Sequence, residues 1–363
     1  MFWEGYRQFI VKEVREESES AKSFFLTPAD EEPLAEYLPG QHLPIRVAIS
    51  GSRVSRCYTL SDCFNPQHYR LTIKRERSSV NGTVHHGLVS NHFHDHVSPG
   101  ATIEAKLPSG NFYLDPAAQH PVVLLAGGIG VTPMISMINS VAAAETSRDI
   151  YFFFALRDHR DHAFRRHLQQ LAAQHPNIRM TVFYESLLGG EIYGVDFHEQ
   201  GRITLSRLRE RLPGLDMEFY LCGPGPMMAS VSEALLGAGV NHDRIRTESF
   251  GPSSLTFGAP PNPIEARSEK LSEKTSEKKE ILIDFARSGK KIQWNNSART
   301  LLQLAEQNGV EISSGCLYGD CGTCMTPLLS GEVEYLHPTG VTVDDGACLP
   351  CSCKPKTSLI LDA

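Results

Sequence analysis

Six of the nine cysteines lie between Cys316 and Cys353, and three of them, Cys316, Cys321 and Cys324, share one glycine-rich loop, SSGCLYGDCGTC. Thiolates spaced C-x4-C-x2-C, with a fourth supplied from a distance, are the ligand set of a two-iron, two-sulfur cluster. Gly315, Gly319 and Gly322 let such a loop turn tightly and bring backbone N–H groups close to the sulfurs. Zinc is the competing occupant, but structural zinc favours two compact pairs of ligands, and here three thiols sit on one loop. For the fourth ligand, Cys348, Cys351 and Cys353 in CLPCSCKP are all within reach of the spacing. An odd, clustered set of thiols is not the spread of a secreted disulfide framework.

Other residues suit binding of a nucleotide cofactor. In RCYTLSD (56–62), Arg56 offers a guanidinium for a phosphate, Tyr58 an aromatic face for a flat ring, and Thr59 a hydroxyl for the ring edge. GLVSNHFHD (87–95) reads as a helix start whose free N–H groups at Val89 and Ser90 suit a pyrophosphate. AGGIGVTPM (126–134) follows a buried strand and opens a helix. There Gly127, Gly128 and Gly130 admit a dinucleotide close to the backbone, Thr132 is expected to cap, and Pro133 sits in the first turn. Asp158, after the next strand, is placed to bond adenosine ribose hydroxyls, which points to NADH, and Arg157 beside it to receive the 2'-phosphate of NADPH. His85, His86, His92, His94 and His96 crowd one stretch with no cysteine or carboxylate triad among them, and read as surface histidines.

These groups need elements to hold them. Residues 1–115 are short, partly alternating strands divided by Gly, Pro and Ser-Asp turns, which predicts an antiparallel barrel or sandwich, of which the barrel is expected for this domain. From 116 to 252 buried strands such as PVVLLAGG and IYFFFAL alternate with helices, which predicts a parallel sheet covered on both faces. Residues 253–280 pass from a Pro/Gly/Ser-rich run into a repeated SEK unit with few apolar residues, expected as a tether spanning roughly 30 Å as flexible coil, or with the SEK run as a solvated helix of Glu/Lys pairs, separating two bodies either way. Residues 281–363 hold the cysteine loop between short strands and one helix. A length of 363 residues fits such a multidomain chain. The 35 basic and 42 acidic side chains give a net charge of −7, which disfavours an electrostatic grip on nucleic acid or anionic membrane. No apolar run approaches the roughly 18 residues of a membrane span, so a cytoplasmic location is expected.

The run RCYTLSD, YRLTIKRE, GLVSNHFHDHV, LPSGNFYLD and PVVLLAGGIGVTPM resembles the ferredoxin-NADP reductase superfamily, and within it the FAD-containing reductase domain of flavohaemoglobins. Residues 281–363 resemble plant-type 2Fe-2S ferredoxin domains, which implies a β-grasp fold. The resemblance implies that Arg56 binds the flavin phosphate, Tyr58 stacks on the isoalloxazine and Thr59 bonds near its reactive nitrogen. It places Cys57, Ile73 and Lys74 along the same cofactor. His42 stands where those proteins generally carry a tyrosine against the flavin. Cys222, in Cys222-Gly223-Pro224, would lie beside the nicotinamide, Phe250 over the flavin face and Glu248 near its ring. Cys351, three residues before Lys354-Pro355, matches the last ferredoxin ligand.

The implied activity is electron transfer from NADH or NADPH to FAD, on to the 2Fe-2S cluster, and out to a separate acceptor protein. A flavin is required because a nicotinamide gives up two electrons together whereas the cluster takes one. The domain order is similar to reductases of Rieske-type oxygenases and of hybrid-cluster proteins. The alternative is a redox-sensing or electron-carrier subunit that does not oxidise nicotinamide.

Overall fold

The computed structural model describes residues 3, 5–80, 83–250, 281–294, 298–312, 314, 319, 322–336, 339 and 341–363. It divides into two compact units, residues 1–255 and 256–363. The expected tether, 253–280, lies outside the described residues.

The first unit begins with β1 (Arg7–Glu16), β2 (Ala21–Pro28), β3 (His42–Ile49), β4 (Ser52–Thr59) and β5 (Tyr69–Lys74). A small hairpin, β6 (Arg77–Val80) and β7 (Thr83–His86), leads to α1 (Leu88–His96) and β8 (Thr102–Ala105). Six of these strands form one antiparallel sheet in the order β4-β3-β8-β1-β2-β5. Its two edges meet where Leu60 bridges Leu71 and Ser61 N–H donates to the Arg70 carbonyl at 2.9 Å, so the sheet closes on itself as a barrel. Phe9, Val11, Phe24, Leu26, Leu43, Ile45 and Leu71 point inward together. The alternation in the sequence is only partial because Phe24 to Leu26 is buried on both faces.

The second layer of this unit contains β9 (Val122–Gly127), α2 (Val131–Ala143), β10 (Ile150–Leu156), α3 (Arg165–Gln174) and β11 (Ile178–Tyr184). It continues with β12 (Glu199–Gln200), α4 (Leu205–Arg211), β13 (Glu218–Cys222), α5 (Gly225–Gly237) and β14 (Ile245–Glu248). All the pairings are parallel, in the order β12-β11-β10-β9-β13-β14. Every residue of β9 is buried. Val122, Leu124 and Ala126 enter one core, and Val123 and Leu125 enter the other, on the opposite face. Each such aliphatic side chain contributes about 1.5–3 kcal/mol by leaving water.

The barrel and the parallel sheet are joined by specific polar contacts. The Asp62 carbonyl accepts from Tyr37 Oη at 2.9 Å and from Ser136 Oγ on α2 at 2.6 Å, and Asn139 Nδ2 donates to Asp62 Oδ1 at 2.6 Å. Arg148 is fully buried, yet its guanidinium is satisfied by the Asp115 and His120 carbonyls and by Glu218 Oε2 at 3.1 Å. A buried charge survives only with such partners.

The C-terminal unit holds β15 (Leu282–Phe285), β16 (Lys290–Gln293), α6 (Leu301–Gln307), β17 (Thr326–Ser330), β18 (Val333–Tyr335), β19 (Ala347–Cys348), β20 (Cys353–Pro355) and β21 (Leu359–Leu361). The main sheet runs β16-β15-β21-β17-β19, with β15 and β21 parallel and the other pairs antiparallel. Thr300 caps α6, its Oγ1 accepting from Gln303 N–H at 3.1 Å. The helix packs Leu301, Leu304 and Ala305 against Ile283, Phe285, Leu359 and Leu361, the helix-on-mixed-sheet arrangement of a β-grasp domain. Among the described residues no helix is long and apolar enough to cross a membrane.

Candidate functional site

In the parallel sheet β9, β10 and β11 run off in one direction and β13 and β14 in the other, so the chain reverses between β9 and β13. Ligands of such sheets bind beyond the carboxyl ends of the strands at this switch point. Two turns meet there. A Cβ on Gly130 would fall inside the Cys222 carbonyl, and one on Gly223 would stand 2.8 Å from the Gly127 nitrogen. Gly127 in turn packs against Pro224, the cap residue of α5. Gly128 has φ +53 and open space where a side chain would go. The glycines expected to admit a nucleotide therefore divide the work: Gly127 and Gly130 press the turns together, and Gly128 leaves one side of the crevice clear.

Thr132 does not cap. Gly130 is the cap residue of α2 without a side-chain bond, and Thr132, one position inside the first turn, donates its hydroxyl to the Ile129 carbonyl at 3.1 Å. Pro133 lies buried in that turn, as its missing N–H allows.

Around the mouth of the crevice the structure brings together Cys222, Glu248, His42 and Thr59. Cys222 ends β13 and pairs in register with Ala126 on one side and Glu248 on the other. Burial, and then the Glu248 carboxylate, push the thiol well up, so it is a neutral thiol. His42 opens β3 opposite Thr59 on β4. Its Nδ1 lies 3.9 Å from Glu248 Oε1 and its Nε2 3.4 Å from Ser109 Oγ. Burial lowers the imidazole to about 4, so it is neutral near pH 7. A side chain at Gly110 would strike His42 Nδ1 at 2.8 Å. Ser109 and Gly110 are residues that sequence reasoning missed as individuals, although LPSGNF carried the signal.

Thr59 is buried, and its Oγ1 has no hydrogen-bond partner within the chain. A buried hydroxyl left unmatched costs about 1–3 kcal/mol, so this group is suited to an external partner such as a flavin edge. Tyr58 packs against Phe93 of α1 at 5.9 Å between ring centres, and burial pushes its phenol up. Arg56 donates to the Ser55 carbonyl at 2.7 Å, and Cys57 is half-buried on the same strand. Gly87 caps α1 without a side-chain bond, and Val89 and Ser90 are buried in its first turn, with Ser90 Oγ accepting from Glu76 N–H at 3.2 Å. Ile73 is buried and its carbonyl meets His94 Nε2 at 2.8 Å. Lys74 extends to Asp161, 3.2 Å away, and so ties the barrel to the parallel sheet. Phe250 is 40% exposed at the end of the described segment.

Asp158 is not placed as expected. It is buried, caps the turn 159–161, and accepts from Arg160 N–H and Nε at 3.0 Å and from its terminal nitrogen at 2.8 Å. Arg160 holds the carboxyl down to about 2. Its lone pairs are committed within the chain, which removes the reason for preferring NADH on this residue.

In the C-terminal unit Cys324 and Cys351 are buried with their sulfurs 3.0 Å apart, beside Leu302 and Leu349. That separation is longer than a disulfide of about 2.05 Å, and the Cys324 thiol donates to the Cys351 sulfur. Cys348 and Cys353 instead join the apolar core under α6, where a bond to Cys348, and then burial, push the Cys353 thiol up. Cys316 and Cys321 lie outside the described residues.

Three family models match in chain order: an oxidoreductase FAD-binding domain over residues 8–113, an oxidoreductase NAD-binding domain over 124–233, and a 2Fe-2S iron-sulfur cluster binding domain over 283–356. A flavohemoprotein of Rhodopirellula baltica is 41% identical over 252 residues, 69% of this chain and 62% of that protein. The chain thus spans about three fifths of the length of the curated relatives it matches. The FAD/NAD-binding domain of a nitric oxide dioxygenase from Vibrio cholerae is 34% identical with a TM-score of 0.60, covering 68% of this chain and 99% of that one. Phthalate dioxygenase reductase shares the fold over 99% of this chain and 98% of its own, with a TM-score of 0.64 at 24% identity. FAD, a nicotinamide nucleotide and a 2Fe-2S cluster are therefore the cofactors. This chain belongs to the ferredoxin-NADP reductase superfamily, as a flavohaemoglobin-like NAD(P)H and FAD oxidoreductase module carrying a C-terminal plant-type 2Fe-2S ferredoxin domain.

Proposed function

We propose that the chain oxidises NADH or NADPH and delivers the electrons one at a time to a separate acceptor protein, a Rieske-type oxygenase or another redox enzyme. When bound, FAD supplies the change from two-electron to one-electron transfer and the 2Fe-2S cluster supplies the one-electron carrier. The observation that carries this reading is the meeting of Cys222, Glu248, His42 and the unmatched Thr59 hydroxyl at the sheet's switch point.

In this reading Arg56 holds the flavin phosphate, and Val89 and Ser90 offer first-turn N–H groups to the pyrophosphate. Tyr58, His42 and Phe250 lie against the ring, Thr59 donates to its edge, and Cys57, Ile73 and Lys74 line the same strands. Gly128, Gly130, Thr132, Pro133, Cys222, Gly223 and Pro224 shape the nicotinamide crevice. Glu248 is the one acidic group of this set, and the neutral Cys222 thiol fills the space beside it without adding charge. Cys316, Cys321, Cys324 and Cys351 hold the iron. The working boundaries are 1–115 for the FAD-binding barrel, 116–252 for the nucleotide domain, 253–280 for the tether and 281–363 for the ferredoxin.

The test is to isolate the partner retained by the reduced holo-protein and to follow its reduction when NADH is added without oxygen. Reduction that requires both the holo-protein and NADH is expected. A partner that stays oxidised, with NADH unconsumed, would support a carrier subunit instead.

A further inference from the structure

The histidines of α1 do not all serve the cofactor. His94 bonds the Ile73 carbonyl at 2.8 Å, which fixes that face of the helix on the barrel. His92 and His96, four residues apart, come together away from it, with ring centres 5.2 Å apart. His96 is exposed and His92 half-buried, so both are reachable from solvent. The neighbouring acid does not compete for them, because Asp95 pairs with Arg75 at 2.6 Å.

The spacing can be checked against coordination chemistry. A zinc ion about 2.0–2.1 Å from one nitrogen of each imidazole stands about 3.2 Å from each ring centre. Ring centres 5.2 Å apart then subtend about 110° at the ion, close to the tetrahedral angle that zinc takes. Neutral imidazole is the ligand form. The pair also lies in the last two turns of α1, where the helix dipole favours a cation.

We infer that His92 and His96 form a two-imidazole surface site for a borderline divalent ion, zinc in particular, distinct from the iron-binding thiols. Among the described residues no group of three His, Cys, Asp or Glu surrounds it, so water or a group from outside the chain completes the coordination. The site is accordingly exchangeable, and it excludes magnesium and calcium, which take oxygen ligands. It stands independently of the proposed electron-transfer function.

Calorimetric titration of zinc into the full chain loaded with FAD and cluster tests it, alongside His92→Asn, His96→Asn and the double variant. Because the second imidazole binds intramolecularly, either single substitution is expected to weaken this zinc equivalent at least about tenfold. Magnesium should give no binding. Far-UV circular dichroism and flavin content should be unchanged in all three variants, since neither side chain is in the core. A double variant with the wild-type zinc stoichiometry and affinity, or single variants weakened less than tenfold, would overturn the assignment.

Discussion

The two cofactor-bearing units build their sites in opposite ways. In residues 1–255 the crevice is made of backbone already in contact: Gly127 and Gly130 lie against Gly223, Pro224 and the Cys222 carbonyl, and His42 is wedged against Gly110. In the C-terminal unit the thiols of Cys324 and Cys351, two of the four proposed ligands, lie 3.0 Å apart in a unit of one short helix and small strands. A unit this small has a limited core, so metal binding contributes directly to its folding. The first site is set by the sheet topology, whereas the second, in the proposed ligand set, would be completed by the cluster that its thiols hold.

The largest expected effect sharpens that contrast. Cys324→Ser or Cys351→Ser should abolish the iron-sulfur absorbance and NADH-driven reduction of a protein acceptor that draws on the cluster, while flavin content and NADH oxidation by ferricyanide, which takes electrons directly from the flavin, persist. Cys348→Ala should keep the cluster and cost about 1–3 kcal/mol of stability in the C-terminal unit, read from urea unfolding. If Cys348 proves indispensable for iron and Cys351 does not, the ligand assignment is wrong.

Next in size is Gly130→Ala. The added methyl cannot fit against the Cys222 carbonyl, so the two turns must separate, and kcat/KM for NADH should fall about a hundredfold with the cluster spectrum intact. Thr59→Val is subtler. Removing a hydroxyl that has no partner in the chain should leave the flavin-free protein as stable or slightly more so, yet weaken FAD retention about tenfold, measured by ultrafiltration. Equal losses in both readouts would mean the hydroxyl is structural.

A further effect is on pH dependence. His42 and His162 are held at about 4 and about 3, below the ordinary 6.5, chiefly by burial. Above pH 6.5 both are neutral in the folded and unfolded chain, and they contribute nothing to the dependence. As pH falls through 6.5 the unfolded chain takes up protons that the folded chain refuses, so the first unit loses stability down to about pH 4. The urea midpoint of the flavin unit should drop between pH 7.5 and 5, and His42→Tyr should reduce that drop.

Much of this was legible in the sequence because it rested on local rules. The all-apolar β9, the glycine turn after it and the thiol spacing each follow from chemistry within ten residues. Side-chain pairings were not legible, whether within one turn or between distant segments. Asp158 looked free for a ribose until the fold placed Arg160 on it, and Thr132 looked like a cap until Gly130 took that place. The buried Arg148 carries no local signal, since its partners at 115, 120 and 218 meet only after the barrel and sheet pack.

The proposed electron path runs, within one chain, from a nicotinamide nucleotide through flavin to the iron-sulfur cluster. Anaerobic addition of NADH to the fully loaded protein, followed by visible absorbance and low-temperature electron paramagnetic resonance, tests it most directly. Bleaching of the flavin bands together with the appearance of a reduced-cluster signal is expected. A bleached flavin beside a cluster that stays oxidised, or spectra unchanged by NADH, would contradict it.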